Sequence, residues 1–292
     1  MFRHTEELKK GNGYIFTAYH KPFSLLNSDF IIPIHAGRAC AHKNKDGNAD
    51  DAGIKFLASM AGDDTGDNIS ARNNEYSECT VLYWMWKNLN LNDYKYIGLF
   101  QYRRQLILND VFDKAKDDIE KKAYKCVHFK NIGSDFPDSI GLTDAAISTL
   151  LEEYDIVLPY ESDLAQLGIT SPYDDWANKI PGVHIDDLVE LEETLKRIHP
   201  ELTDEIEEYL NSPRKRMYQI FIAKPQVIAD YCKWMFNILF DTDARIDTSM
   251  YSVNGKRTLG YLAEILYGFY FGHMKKTGEL KIKECGVSFI DA

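Results

Sequence analysis

GDDTGDNISARNNEYSECTVLYWMWKNLNLNDYKYIGLFQYRR, residues 62–104, is the stretch on which the reading of this chain turns. It opens on an acidic, turn-forming loop. Asp63, Asp64, Thr65, Gly66, Asp67 and Asn68 can cap a helix and present oxygens to a ligand. Val81 to Trp86 then runs apolar without a break, covering every face of a helix and predicting one buried on all sides. Glu78 enters the interior with that helix and needs either a partner or a raised pKa. Tyr96 to Phe100 lacks inside–outside alternation, as expected of a central strand covered on both faces. Arg103 and Arg104 follow its carboxyl end, the edge at which open α/β sheets bind ligands. Adjacent residues leaving a strand point to opposite sides, so one arginine is expected to face the ligand and the other to brace Glu78 or Asp67. Two cations beside an acidic loop fit a phosphorylated substrate; a structural salt-bridge network is the alternative.

Working outward, Tyr14–Tyr19 (YIFTAY) reads as a first buried strand ending in His20 and Lys21. Phe30–Ile34 reads as a second, with Pro33 placing it near a sheet edge or strand end. His35, Ala36, Gly37 and Arg38 follow. Gly37 would let backbone approach a ligand, and Arg38 would reach a phosphate; a plain surface turn is the competing reading. Cys40–Gly62 reads as a polar loop, and Asn109–Leu142 as an excursion that would serve as a flap or lid. Thr143 is placed to cap a helix that leads into Asp155–Pro159, a further buried strand. Strands and helices therefore alternate, which predicts an α/β sheet.

In Glu161–Asp187, Asp174, Asp175, Trp176, His184 and Asp187 mix aromatics with carboxylates, as a sugar site does; an ordinary loop before a helix capped by Asp186 is the plainer reading. Arg214, Lys215 and Arg216 form the dense basic run before strand-like Gln219–Ala223, read as a solvated face, with phosphate or lipid contact as the alternative. Pro225 starts a core helix. Thr258–Phe271 is apolar around its axis and carries Glu264 as its acid, seven residues after Arg257. A carboxylate held in low dielectric at a cleft is a candidate general base, and a structural pair with Arg257 or another arginine is the alternative. The C-terminal ELKIKECGVSFI reads as one last strand.

Composition sets the limits. With 292 residues, 45% hydrophobic, the chain can bury a sizeable core. Its net charge of −11 argues against a nucleic-acid partner. Five scattered cysteines without a CxxC fit neither a disulfide framework nor structural zinc, and suit a reducing cytoplasm. The first 13 residues have no apolar signal core, and no apolar run is long enough to span a bilayer. The expectation is a cytoplasmic protein, at most peripheral at the inner face of the membrane.

GDDTGDNIS…YSECTVLYWMWKN…YIGLFQYRR, then EYDIVLP, then YCKWMFNILF…RTLGYLAEIL, resembles a bacterial family known mainly from capsule and exopolysaccharide gene clusters. That family was long catalogued as a domain of unknown function and is regarded as glycosyltransferase-like, of the GT-A type, with members assigned as galactofuranosyltransferases. The resemblance implies one GT-A-like α/β domain over residues 1–292, with the excursion at 109–142 and an acceptor-side helical region at 161–215. It implies transfer of a hexose from a UDP-linked nucleotide sugar to a growing or lipid-linked glycan. His20, Lys21, His35 and Gly37 match its N-terminal strand ends. Asp63–Asn68, Glu78, Tyr102, Arg103 and Arg104 match its central signature, and Arg257, Gly260 and Glu264 its C-terminal one. The family more often has histidine where Gln101 stands, and His and Asn at Arg216 and Gln219.

On this mapping the diphosphate is expected at Arg103, Arg104, Tyr102, His20, Lys21, His35, Gly37, Arg38, Asp67 and Asn68, with Glu78, Asp64 and Arg257 in support. Glu264 is the first choice of base, followed by Asp187 and Asp175; Trp176 and His184 would hold the acceptor. Many GT-A enzymes carry an Asp-x-Asp metal motif where this strand ends in QYRR. Here an arginine would neutralise the diphosphate instead, since a guanidinium pairs two phosphate oxygens at once. Mg²⁺ or Mn²⁺ on Asp63, Asp64 or Asp67 is the competing idea. Rival functions are a metal-dependent phosphohydrolase built on Asp63–Asp67 and a non-catalytic glycan- or nucleotide-binding subunit.

Overall fold

The structure, a computed structural model, describes residues 8–40, 51–115, 119–178 and 180–291. Its strands are β1 (Tyr14–Tyr19), β2 (Ile31–His35), β3 (Ala61–Gly62), β4 (Ile97–Gln101), β5 (Arg104–Leu106), β6 (Cys126–Phe129) and β7 (Ile156–Pro159). After these come β8 (Ser162–Asp163), β9 (Arg214–Lys215), β10 (Phe221–Ala223), β11 (Ile282–Cys285) and β12 (Val287–Ile290). The main sheet runs β11–β7–β10–β4–β1–β2–β3. β1 lies parallel between β2 and β4, whereas β10 is antiparallel to both its neighbours. The architecture is α/β, a mixed and mostly parallel sheet flanked by helices.

The apolar runs explain the centre. β1 is buried throughout and β4 is buried up to Gln101, as strands covered on both faces must be. Alternate residues feed two cores. Tyr14 and Phe16, with Ile97 and Leu99, join the core under the Cys79–Asn88, Pro225–Asp243 and Thr258–Thr277 helices. Ile15 and Phe100 join the core that includes Ile147 and Leu151 of the Asp144–Glu153 helix. Val81 to Met85 are all buried in the first of these, and each large apolar side chain there contributes about 1.5–3 kcal/mol. Thr143 caps its helix by accepting from the Ala146 N–H at 3.2 Å. Pro33 is tolerated because β3 pairs only with Ile34 and His35.

Four segments differ from expectation. Within Cys40–Gly62, Asp51–Ala58 is helical and Ala61–Gly62 is β3; residues 41–50 lie outside the described residues. The C-terminal segment is two strands, with β12 turned away to pair β5 and β6. The 109–142 excursion supplies β6 to that pairing, and none of its described residues lines the cavity below, so the flap reading finds no support. Strand β10 begins only at Phe221, because Tyr218 and Gln219 have φ of 80° and 42°.

Candidate functional site

Because β1, β2 and β4 are parallel, their carboxyl ends share one edge, and a cavity of about 630 Å³ opens there. His20 and Lys21 enter it from the end of β1, Ala36 from β2, and Gln101 to Arg104 from β4 and the turn beyond. The far wall is Ser77–Glu78, Met217–Tyr218 and the start of the Thr258–Thr277 helix, with Arg257, Gly260 and Glu264. Gly260 is there because a Cβ would lie 2.8 Å from Ser77 Oγ. Ser77, Tyr218 and Gln219 all have positive φ, so unfavourable backbone concentrates beside this wall.

The two arginines do not diverge. Tyr102 and Arg103 form a two-residue turn, and β5 folds back so that Gln101 opposes Arg104. That hairpin returns both guanidinium groups to one cavity, which overrides the alternation expected of a continuing strand. Arg103 Nε donates to the Ile290 carbonyl at 2.7 Å, and its guanidinium lies 4.4 Å from the Phe289 ring centroid. Arg104 sits 4.7 Å over the Tyr218 ring and donates from Nη1 to Gln101 Oε1 at 2.7 Å; its Nε is buried without a partner. Among the described residues neither arginine has a carboxylate partner. Tyr102 packs edge-on against His20 and Phe23, both with centroids 5.1 Å away, and stiffens the corner. His20 remains open to the cavity, yet burial, Arg257 and Lys21 push its pKa down to about 4, leaving a neutral imidazole at pH 7.

Two carboxylates face these cations. Glu264 is held on both oxygens: Oε1 lies 3.2 Å from Lys215 Nζ, and Oε2 accepts the Tyr218 N–H at 2.7 Å. Lys215 also pairs with Asp175 at 3.3 Å. Burial works against the Lys215 charge, but Glu264 and Asp175 outweigh it and hold its pKa above the ordinary lysine value. The basic run is therefore not a solvated face. Lys215 is 3% and Arg216 2% exposed, and Arg216 Nη2 pairs with Glu284 at 2.6 Å. The partner of Glu264 is Lys215, not Arg257, whose Nε instead donates to Ser77 Oγ at 3.2 Å. Glu78, just before the Cys79–Asn88 helix, accepts from Gln101 Nε2. Burial raises its pKa above the ordinary glutamate value; Glu264 adds to the rise, while its own backbone N–H, Arg257 and Arg104 offset part of it.

The acidic loop is a different kind of object. Asp63 is fully buried, and its two oxygens accept from the Gly37 and Arg38 N–H groups at 2.9 and 3.1 Å and from the Ser70 and Thr80 hydroxyls. Four donors fill a carboxylate's accepting positions, so Asp63 is unsuited to a metal. Asp64 is exposed on the outer side of this knot, and no group of three or more His, Cys, Asp or Glu able to hold a metal occurs among the described residues. Gly37 has φ +70°, and a Cβ there would meet Asn73 at 2.5 Å; packing and backbone conformation explain it without a ligand. Arg38 donates to the Ala58 and Met60 carbonyls at 2.7 and 2.9 Å, closing the Asp51–Ala58 helix rather than reaching for phosphate. His35 is buried and lies off the cavity wall. Asp67 accepts from Tyr83 Oη at 3.0 Å, and Asn68 Oδ1 accepts from the Ser70 N–H at 3.2 Å; neither faces the cavity.

The proposed bases and acceptor residues at 175–187 are likewise elsewhere. Asp187 is 3% exposed and accepts from Tyr251 Oη at 2.8 Å and Thr258 Oγ1 at 2.9 Å, locking the entry to the last long helix. Asp175 is committed to Lys215. Trp176 is a core residue, 1% exposed, donating to the His184 carbonyl at 2.8 Å; the His184 ring stacks on Tyr251. None of the four lines the cavity. Asp186 does not cap its helix, which begins at Ile185 with His184 at the cap position. Three members of the site have no local signal in the sequence: Gln101 as a bridge, Lys215 as the Glu264 partner, and Tyr218. The bend at Tyr218 and the hairpin at QYRR carry no Gly, Asn or Asp to announce them.

Among the described residues no helix is long and apolar enough to cross a membrane. A comparison with curated proteins finds no match. Among solved structures, the apo structure of the WbbM bifunctional glycosyltransferase matches with a TM-score of 0.82 and 28% sequence identity, over 97% of this chain. The match takes in 46% of that protein, so this chain spans about half its length. A family model described as a domain of unknown function, DUF4422, matches residues 14–276, and on that match the chain belongs to this family.

Proposed function

We propose that the chain is a glycosyltransferase of the GT-A type, moving a hexose from a nucleotide sugar to a glycan. UDP is the expected nucleotide, a growing or lipid-linked polysaccharide the expected acceptor, and galactofuranose the sugar suggested by the family resemblance. The observation that carries the reading is the pair Arg103 and Arg104: two guanidinium groups without carboxylate partners among the described residues, on the wall of a cavity at the carboxyl ends of the parallel strands. Lys21 and Arg257 line the same cavity. A chain of net charge −11 that gathers four cations around one cavity is built for an anion there. The WbbM match supports glycosyl transfer as the chemistry, and since this chain covers 46% of that bifunctional protein, the activity is carried over as part of the proposal.

In this reading the arginines take up the negative charge that develops on the diphosphate as the anomeric C–O bond breaks. Isothermal titration of UDP in the presence of EDTA tests it. Binding should survive the chelator and fall in Arg104→Ala. Binding that EDTA abolishes would sink the arginine-only version, and Mg²⁺ or Mn²⁺ would have to bridge the diphosphate. A phosphohydrolase would release phosphate or sugar rapidly without an acceptor, and a binding subunit would turn over no nucleotide sugar at all.

A further inference from the structure

Glu264 and Glu78 share the cavity but not the same freedom. Both Glu264 oxygens are occupied, one by the Lys215 ammonium and one by the Tyr218 N–H. A proton arriving there would break the link to a buried lysine left with Asp175 alone. Glu78 has no lysine, arginine or histidine nitrogen within ion-pair distance among the described residues. Beyond its own backbone N–H, its donor is the Gln101 amide. That amide is fixed in one orientation, because Nε2 also donates to the Tyr218 carbonyl at 2.8 Å while Oε1 accepts from Arg104. Gln101 therefore ties a carboxylate that has no ion-pair partner among the described residues to a guanidinium whose Nε is unpartnered.

Resting on the transferase reading above, we propose that Glu78 is the general base that takes the acceptor hydroxyl proton, with Gln101 as its positioning residue. The acceptor oxygen bonds to the anomeric carbon as that carbon's bond to the diphosphate breaks. The hydroxyl proton passes to Glu78, and the electron pair of the broken bond leaves with the diphosphate toward Arg103 and Arg104. Attack from the face opposite the leaving group inverts the anomeric centre. The groups facing Glu78 are Gln101 and Arg104 from the hairpin, Arg257 from the cap of the Thr258–Thr277 helix, Glu264 from that helix, and Cys79 at the start of the helix that Glu78 precedes. Burial first, and the Glu264 charge second, raise its proton affinity, which brings a carboxylate closer to the working pH of a base. Glu264 acts from behind, holding Lys215 and the Met217–Tyr218 wall.

The test pairs UDP titration with UDP release from whichever UDP-hexose the wild type turns over. Glu78→Gln should bind UDP within about threefold of wild type while losing roughly 10²–10⁴-fold in turnover. Glu78→Ala should regain part of the loss with added formate, a base small enough to fill the gap, which a merely structural role would not show. Glu78→Asp, which keeps the charge and shortens the reach, should lose kcat with KM held. The wild-type rate should fall on the acid side with an apparent pKa above the usual glutamate range, and Glu78→Ala with formate should show the lower limb of formate. Turnover by Glu78→Gln within about tenfold of wild type overturns the assignment. A sugar adduct on Glu78 in intact-protein mass spectrometry overturns it too, by making Glu78 a nucleophile. A wild type that binds no UDP defeats the donor reading itself, and the base falls with it.

Discussion

The Asp63–Asn68 loop and the Gln101–Arg104 hairpin lie at the carboxyl ends of two strands of one sheet and carry opposite charge, yet they differ most in how much of that charge is spent. Asp63 spends all of it inward, on two backbone N–H groups and two hydroxyls from three separate segments. The hairpin leaves much of its charge available: two guanidinium groups rest on aromatic rings, a carbonyl and an amide, with no carboxylate partner among the described residues. Charge alone does not mark a ligand site. A saturated charged group holds the fold, and an unsaturated one at a cavity waits for a counter-ion.

The largest effects should come from attacking the saturated side. Asp63→Ala takes the shared acceptor from four donors, most of them buried, and should cost about 3–5 kcal/mol, seen as a fall in Tm of roughly 10 °C. UDP affinity measured well below that Tm should stay within about threefold. A loss of affinity with Tm unchanged would reverse the roles assigned to the two regions. Arg104→Ala should do the opposite: UDP binding weaker by about 10- to 100-fold, with stability shifted by only about 1–2 kcal/mol, because one hydrogen bond to a neutral amide and the stacking over Tyr218 and Phe289 are lost. Arg104→Lys should fall between, since an ammonium restores charge but not the planar fork.

How legible this was follows from how local each feature is. The buried strands β1, β4 and β7 and the helices at 79–88, 225–243 and 258–277 announce themselves as apolar runs with clear starts, so the α/β sheet and the cationic strand end could be read directly. The partners could not. Asp63 meets groups 7 to 26 residues away, and Glu264 finds Lys215 across a chain reversal. Arg38 reads as a phosphate ligand in the sequence because no local pattern shows that a helix will end beneath it. QYRR looked like a strand end with diverging side chains because tight hairpins usually declare themselves with Asn, Asp or Gly, and this one does not. Trp176 and Asp187 were plausible sugar contacts by type and proved to be core by position.

A smaller effect sharpens the contrast from the other direction. Arg38→Ala removes two hydrogen bonds to carbonyls at the end of the Asp51–Ala58 helix and should cost about 1–2 kcal/mol in urea unfolding. UDP affinity should not move, although Arg38 leaves the end of β2 much as Arg103 leaves β4. Weaker UDP binding in this variant would place Arg38 among the cations that serve the cavity.

His20 gives the mildest test and the one with a definite sign. Its pKa is held down to about 4 by burial and by Arg257 and Lys21, against an unfolded value near 6.5. A histidine depressed in the folded state contributes stability fully above the unfolded pKa and loses it as pH falls toward the folded one. Stability should therefore decline from pH 6.5 to 5, a window above the range in which most carboxylates titrate, and His20→Gln should flatten that slope without moving the plateau at pH 7.5. Bound UDP should act in the same window with opposite sign, because a diphosphate beside the ring favours the imidazolium. Titrations at pH 6 in buffers of different ionisation enthalpy should then report proton uptake on UDP binding by the wild type and less by His20→Gln. Equal uptake by both would move the diphosphate away from the end of β1 and leave the hairpin arginines to hold it alone.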